Sequence, residues 1–347
     1  MDADSSDIEA FRVSVVLCTL NGAARLDRCL AAVQRQSLGR RLQLIVVDDG
    51  SSDNSAEVAA SYGAQVIRHP VNRGPGSARN TGIAVAQAPI IAILDDDCEP
   101  EPEWAERLLS GFREGVVGVG GPALPEPGHG YFDGYLERHN PLQPLEIDLA
   151  SSTRVVYRFG RYLLRNAQSR PSGPRVVHGF ATANGAFRAE VLQKLGGFDE
   201  SFRGGEGGED LDLCLRIGDE YGPGALRFEP SAVLRHHFDT DPRALLRRSR
   251  SYGKGAGRLY CKRNDLVPTI FPFPVLVAAL LVWSRGRLGR LAGALLVPQL
   301  LFSAGWRTAL RRRSFGPLLD CYVKLAEEAN MNLGFAIGLY RSRVRRA

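Results

Sequence analysis

The stretch Ile90-Ile-Ala-Ile-Leu-Asp-Asp-Asp97 constrains the fold of this chain more than any other. Five consecutive apolar residues with no polar alternation read as a strand buried on both faces, which needs layers above and below it. Three aspartates then stop the strand at one end. Two earlier runs repeat the plan. Val13-Ser-Val-Val-Leu17 is one, and Leu42-Gln-Leu-Ile-Val-Val47 is the other, stopped by Asp48-Asp49-Gly50-Ser51-Ser52-Asp53. Gln65-Val-Ile-Arg68 adds a short strand. Between them, Ala24 to Gln36 carries Leu26, Leu30 and Val33 at helical spacing, Ser55 to Tyr62 suits a helix capped by the Asp/Ser cluster, and Asn80 to Ala86 reads as helix. This β-α-β-α-β-α-β order predicts an α/β, Rossmann-like fold with a mainly parallel sheet and helices on both faces. Ligands of such sheets bind beyond the C-terminal strand ends, where every one of these acidic clusters falls.

The clusters suggest chemistry. Side chains two apart on a strand point the same way, so Asp95 and Asp97 share a face. Such a carboxylate pair suits Mn²⁺ or Mg²⁺, which can bridge a diphosphate and neutralise the charge it gains on leaving. A carboxylate at Asp48 or Asp49 can accept from a base N–H or a ribose hydroxyl, although Asp-Gly-Ser is also ordinary turn chemistry. Asn72-Arg-Gly-Pro-Gly-Ser-Ala-Arg-Asn-Thr-Gly82 combines glycines, which permit close backbone approach, with the forked donor of Arg79. It is neither a Walker loop nor GxGxxG, so a nicotinamide enzyme is not supported. Gly204-Gly-Glu-Gly-Gly-Glu-Asp210 is a Gly-rich segment that delivers Glu209 and Asp210 to a helix start, where a carboxylate could deprotonate a hydroxyl or simply cap the helix. Gly120 to Pro174, rich in Gly, Pro and aromatics, reads as an insertion near the site. Arg227 to Arg235 reads as a returning strand before His236.

The C-terminal part differs in character. From Arg235 onward there are 21 Lys+Arg and 6 Asp+Glu, against 23 and 32 before it. Two apolar runs, Ile270 to Trp283 and Leu291 to Trp306, are 14 and 16 residues long, short of the roughly 20 a spanning helix needs. Arg247, Arg248, Lys262, Arg263, Arg285, Arg287, Arg290, Arg307 and Arg311 to Arg313 flank them. An in-plane or re-entrant hairpin on an anionic membrane surface satisfies both features, with Trp283 and Trp306 at the interface; buried core helices and a spanning hairpin are the alternatives. Nucleic acid fits less well, because the arginines alternate with apolar runs instead of stacking aromatics. The acidic start lacks a secretory pattern, and six scattered cysteines without CxxC suit reduced thiols. The expectation is a cytoplasmic protein held peripherally on the inner membrane face. Its parts would be a disordered tail over 1–10, a catalytic domain over 11–238 and a helical region over 239–347. The oligomeric state stays open.

Taken together and in order, these elements resemble the family 2 glycosyltransferases, over Val13 to about His237. The resemblance implies a GT-A fold and transfer of a sugar from a nucleotide-diphosphate donor to a hydroxyl acceptor, a glycan or a lipid-linked compound, in envelope polysaccharide or glycolipid synthesis. It implies donor contacts at Thr19, Asn21, Asp48, Asp49, Arg79, Asn80, Asp95 and Asp96. Asp95 and Asp97 would be the DxD motif holding the metal, with His236 a further ligand. Asp210, with Glu209 beside it, would be the catalytic base of a single inverting displacement. Asn184, Gly185 and Trp104 would lie on the acceptor side. Leu20 departs from the family, which often carries an aromatic ring there to stack on the base, so UDP, GDP and dTDP sugars all remain open. A nucleotidyltransferase would carry a basic Gly-rich signature where Cys18-Thr-Leu-Asn-Gly22 stands, and an inactive membrane-bound scaffold would not need intact Asp95, Asp97 and Asp210.

Overall fold

A computed structural model describes residues 10–145, 172–202, 206–263, 265–266, 268, 270–284, 286–301 and 304–344. Part of the expected insertion, 146–171, lies outside the described residues, as does the tail over 1–9.

The four expected strands form: β1 (Val13–Thr19), β2 (Leu42–Asp48), β3 (Gln65–Arg68) and β4 (Ile90–Asp95). They pair in parallel in the order β3-β2-β1-β4, with Val13 opposite both Leu42 and Ile90. Val15, Val16, Leu17, Ile91, Ala92, Ile93 and Leu94 are all buried, as runs without polar alternation require. Helices α1 (Ala23–Gln34), α2 (Ser55–Ser61) and α3 (Pro75–Val85) connect them. Two apolar clusters follow from the alternation of side chains across the sheet: Val15, Leu17, Ala92 and Leu94 pack with Leu26 and Leu30, and Val16, Ile91 and Ile93 pack with Ile83 and Leu213. Helix α3 starts five residues earlier than its spacing suggests. Gly74 takes φ of 95° and Pro75 follows at the first helical position, which together start the helix.

The sheet's other half is mixed. After β5 (Cys98–Pro100), α4 (Trp104–Ser110), β6 (Gly118–Gly120), β7 (Ala123–Pro125) and α5 (Tyr131–Arg138) come β8 (Arg175–Val176) and β9 (Asn184–Arg188). Strand β9 sits between β4 and β6, antiparallel to both. Helices α6 (Ala189–Lys194) and α7 (Glu209–Tyr221) lead to β10 (Leu226–Phe228) and β11 (Leu234–His236). The single strand expected over Arg227 to Arg235 is therefore two. Pro230 cannot donate to a ladder, and the Glu229 carboxylate accepts from the Ser231 hydroxyl at 2.7 Å to close a turn between them. Strand β10 joins the large sheet, whereas β11 forms a small one, β5-β11-β7.

Helix α8 (Pro242–Lys262) and the long α12 (Gly316–Val344) pack along each other through glycines. A Cβ at Gly253 would lie 2.2 Å from the Met331 carbonyl oxygen, and one at Gly338 would lie 2.1 Å from that of Lys254. The pair is stapled to the rest of the molecule. Asp320 on α12 accepts twice from the Arg138 guanidinium, at 2.6 and 2.8 Å, and contacts His139 and Tyr131. Between them lie α9 (Pro272–Trp283), α10 (Arg287–Leu301) and α11 (Ala304–Arg312). The second apolar run is thus divided between two helices. Among the described residues no helix is long and apolar enough to cross a membrane. Trp283 is 87% exposed, and Val275, Leu280, Val282, Leu296, Leu300 and Trp306 are exposed too.

Candidate active site

Arg79 is the centre of the cleft. It projects from α3 with its side chain 6% exposed. One terminal nitrogen donates to Asp95 at 2.9 Å. The other donates to Glu209 at 2.9 Å and lies 3.6 Å from Asp210. One buried guanidinium therefore ties the tip of β4 to the start of α7. The three carboxylates hold Arg79 firmly protonated, against the burial that opposes its charge. Burial, then the neighbouring Asp210 charge, lift Glu209 to about 6. Asp210 is oriented by Thr182, whose backbone N–H donates to one carboxylate oxygen at 3.1 Å and whose hydroxyl donates to the other. It does not cap α7: Gly208, at φ of 112°, is the N-cap and no side chain serves.

The acidic tip divides its work. Strand β4 ends at Asp95, and Asp96-Asp97 form a turn into β5, so strand alternation does not reach Asp97. Asp96 faces β1, accepting from the Thr19 hydroxyl at 2.7 Å and from Arg25 at 3.2 and 3.3 Å. A Cβ at Gly22 would meet the Asp96 carboxylate at 2.1 Å, so only glycine leaves it room. Asp97 turns the other way. The β5–β11 register sets His236 opposite Cys98, and His236 Nε2 lies 3.5 Å from Asp97 Oδ1. Burial, then the Asp95 and Asp96 charges, push Asp97 up to about 7; burial pushes His236 down to about 4.

A divalent ion fits this corner. Donor atoms of Asp97, Cys98 and His236 lie within 4.8 Å of one another. The partly buried Asp97 carboxylate, raised by desolvation and by its like-charged neighbours, is what a bound cation would relieve. His236 Nδ1 is buried without a hydrogen-bond partner among the described residues. Oxygen and imidazole donors suit Mn²⁺ or Mg²⁺. The Cys98 thiol is pushed well up by burial and donates to Asp97, so it supports the carboxylate.

The β2 tip is equally internal. Asp48 accepts from the Ser51 N–H at 2.8 Å, pairs with Arg68 at 3.2 Å and has no exposed surface. Asp49 is held by His69 Nδ1 at 2.7 Å, the Arg73 N–H at 2.9 Å and the Gly74 N–H at 2.8 Å. Asp53 supports the ends of both α1 and α2, accepting from the Ala23 and Ser55 N–H groups, each at 3.1 Å. Asn21, at φ of 49°, is exposed and accepts from Ser52.

Several expected contacts are corrected by burial. Asn184 and Trp104 have no exposed surface; the indole N–H donates to the Asn184 side-chain oxygen at 2.8 Å, and the amide nitrogen donates to the Pro122 and Ala232 carbonyls. They fasten β9 to α4 and to β11's approach, and neither side chain can touch an acceptor. Gly185 lies under the Phe180 ring. Asn80 is turned from the cleft to the Gly197–Phe198 turn, donating to the Phe198 carbonyl at 2.9 Å and accepting from its N–H at 2.8 Å. Asp48 and Asp96 are structural in the same sense. Asp95, Asp97, Arg79, Glu209, Asp210 and His236 do come together. The sequence reading missed Thr182, His69, Arg25 and Phe238, which stacks on His236 at 4.1 Å.

Among known proteins, the model described as glycosyl transferase family 2 matches residues 14–196. The chain belongs to glycosyl transferase family 2. It is 32% identical over 285 residues to pre-mycofactocin glycosyltransferase of Mycobacterium tuberculosis, covering 81% of this chain and 54% of that protein. It is 31% identical over 223 residues to validoxylamine A glucosyltransferase of Streptomyces hygroscopicus, covering 59% and 51%. The chain thus spans about half the length of the curated relatives it matches. A solved structure of the mannosyltransferase PcManGT from Pyrobaculum calidifontis, in complex with GDP-Man and Mn²⁺, shares the fold. The likeness has a TM-score of 0.55 at 17% identity, over 96% of this chain and 90% of that one. This family 2 member has the GT-A fold, with its carboxylate-rich cleft at the C-terminal strand ends.

Proposed function

We propose that the chain transfers a sugar from a nucleoside-diphosphate donor to a hydroxyl acceptor by one in-line displacement that inverts the anomeric carbon. Family membership supports sugar transfer. The observation that carries the mechanism is the bridge by Arg79 between Asp95 and the Glu209–Asp210 pair. It ties the carboxylates read as general base and as metal ligand to one buried cation, which supports an in-line arrangement.

Asp210 takes the acceptor proton. Thr182 fixes its carboxylate, and the Arg79 guanidinium lies 3.6 Å from it. Asp97 and His236, with Asp95 beside them, would hold Mn²⁺ or Mg²⁺, which supplies charge neutralisation at the departing diphosphate. Glu209 keeps Arg79 in position. Asp49, held by His69, Arg73 and Gly74, is the carboxylate assigned to the nucleotide base. Among the described residues, the other carboxylates around Arg79, Asp95 and Glu209, are both engaged by its guanidinium, which supports a single base and inversion.

The apolar face of α9 and α10, with arginines around it, suits an anionic membrane surface, and with it a lipid-linked or envelope-glycan acceptor. Incubation with UDP-, GDP- and dTDP-sugars and Mn²⁺ tests the reading. Slow release of the nucleoside diphosphate is expected. Pyrophosphate turnover would point instead to a nucleotidyltransferase, and inertness to all donors to a scaffold.

A further inference from the structure

We infer that Arg248, on α8 and beyond the segment matched by the family, binds the phosphates of the nucleoside diphosphate, with Tyr252 walling that subsite. The inference rests on the transferase reading above.

Arg248 stands in a run of basic residues and reads from sequence as surface charge. The structure turns it inward. Its guanidinium carbon lies 4.9 Å from the centre of the Phe238 ring, Phe238 stacks on His236 at 4.1 Å, and His236 reaches Asp97 at 3.5 Å. The four form one row that ends at the metal corner. One terminal nitrogen of Arg248 is buried with no hydrogen-bond partner among the described residues. A buried guanidinium N–H without an acceptor is costly. The nearby aspartates do not supply one, because Asp95 is engaged by Arg79, Asp96 by Arg25 and Thr19, and Asp97 faces His236. An unpaired forked cation beside a metal-binding corner is suited to an anion that arrives with a ligand.

Tyr252 lies one helical turn further on, on the same face. Its ring packs on the base loop: a Cβ at Gly207 would come within 2.8 Å of Tyr252 Cδ1. Burial pushes its phenol up to about 12. Helix α8 is pinned there. Arg258 donates to the buried Glu206 at 2.8 Å, and Lys262 donates to Asp199 at 2.7 Å and to Asp212 at 2.5 Å. A phosphate on the acceptor offers the same chemistry. The donor is favoured because the Arg248–Phe238–His236 contacts lead to Asp97, the corner assigned above to the metal and the departing diphosphate.

Calorimetric titration of the full chain with Mn²⁺ and with UDP, GDP and dTDP, each against its monophosphate, tests this. Arg248→Gln should weaken the best-bound diphosphate about tenfold or more and shrink its advantage over the monophosphate. Arg248→Lys should recover part of the loss, and Arg243→Gln, exposed at the start of α8, should bind as the unaltered chain does. If Arg248→Gln retains its melting temperature and the full diphosphate advantage, Arg248 faces the acceptor or nothing, and the assignment is overturned. If the unaltered chain binds none of the nucleotides, the transferase reading itself fails.

Discussion

At the scale of single residues, three consecutive aspartates have different partners. Asp95 meets Arg79, Asp96 meets Arg25 and Thr19, and Asp97 meets His236. Equal charge therefore does not mean equal role. Asp97→Asn should lower Mn²⁺ affinity at least about tenfold in an electron-paramagnetic-resonance titration, with little change in melting temperature. Asp96→Asn should do the reverse, since it strips a buried carboxylate from Arg25 and Thr19 at a cost of about 1–3 kcal/mol. Glu209 offers a pH test. Its carboxyl is lifted from 4.5 to about 6, by burial first and Asp210 second. An acid raised on folding favours the folded state while it is protonated. That contribution is whole below pH 4.5 and is lost as pH rises through 6. Denaturant unfolding without added metal should show the chain losing about 2 kcal/mol relative to Glu209→Gln across that interval. A difference independent of pH would mean that Glu209 titrates normally.

At the scale of elements, glycines decide where α8 can lie. A Cβ at Gly255 would fall 1.4 Å from the Gly207 carbonyl oxygen, and backbone cannot rotate aside. Gly255→Ala should push α8 off the base loop, costing about 1–3 kcal/mol in thermal unfolding and most of the donor-hydrolysis rate. Gly224→Ala, with nothing near its added carbon, should do neither. The elements also show where sequence patterns carry information. Strands β1, β2 and β4 were legible because a run of apolar residues with few polar interruptions has one stable home, the middle of a parallel sheet. Strands β6, β8 and β10 have two or three residues each, too few for any period to register. Family resemblance alone places Asn184 on the acceptor side, since nothing beside it in sequence marks it as buried. It is a buried fastener whose partners, Trp104, Pro122 and Ala232, lie 80, 62 and 48 residues away. Arg248 was hidden by its neighbours: Arg247 is exposed and Arg248 turns inward, and a basic run does not announce which member faces the cleft.

At the scale of the whole molecule, the acidic front and basic back are two surfaces of one packed body. The acidic clusters gather at the strand ends, and the C-terminal helices close over them through α8 while α9, α10 and α11 present apolar residues outward. A membrane surface would cover that face. Trp283→Glu with Trp306→Glu should cut cosedimentation with phosphatidylglycerol vesicles at least about fivefold, without altering the circular dichroism; unchanged sedimentation would remove the membrane from the account. The order of motifs along the chain made the family visible, but the convergence of Arg79 and Asp95 with the Glu209–Asp210 pair depends on contacts from Arg79 across 16 residues to Asp95 and 130 to Glu209, which spacing alone cannot express. That convergence is tested most directly by the Asp210→Asn variant, followed in parallel for donor binding by calorimetry and for nucleoside-diphosphate release. Binding within about threefold of the unaltered chain, with turnover lowered at least about a hundredfold, is the predicted result. Lost donor binding with undiminished residual turnover would contradict it.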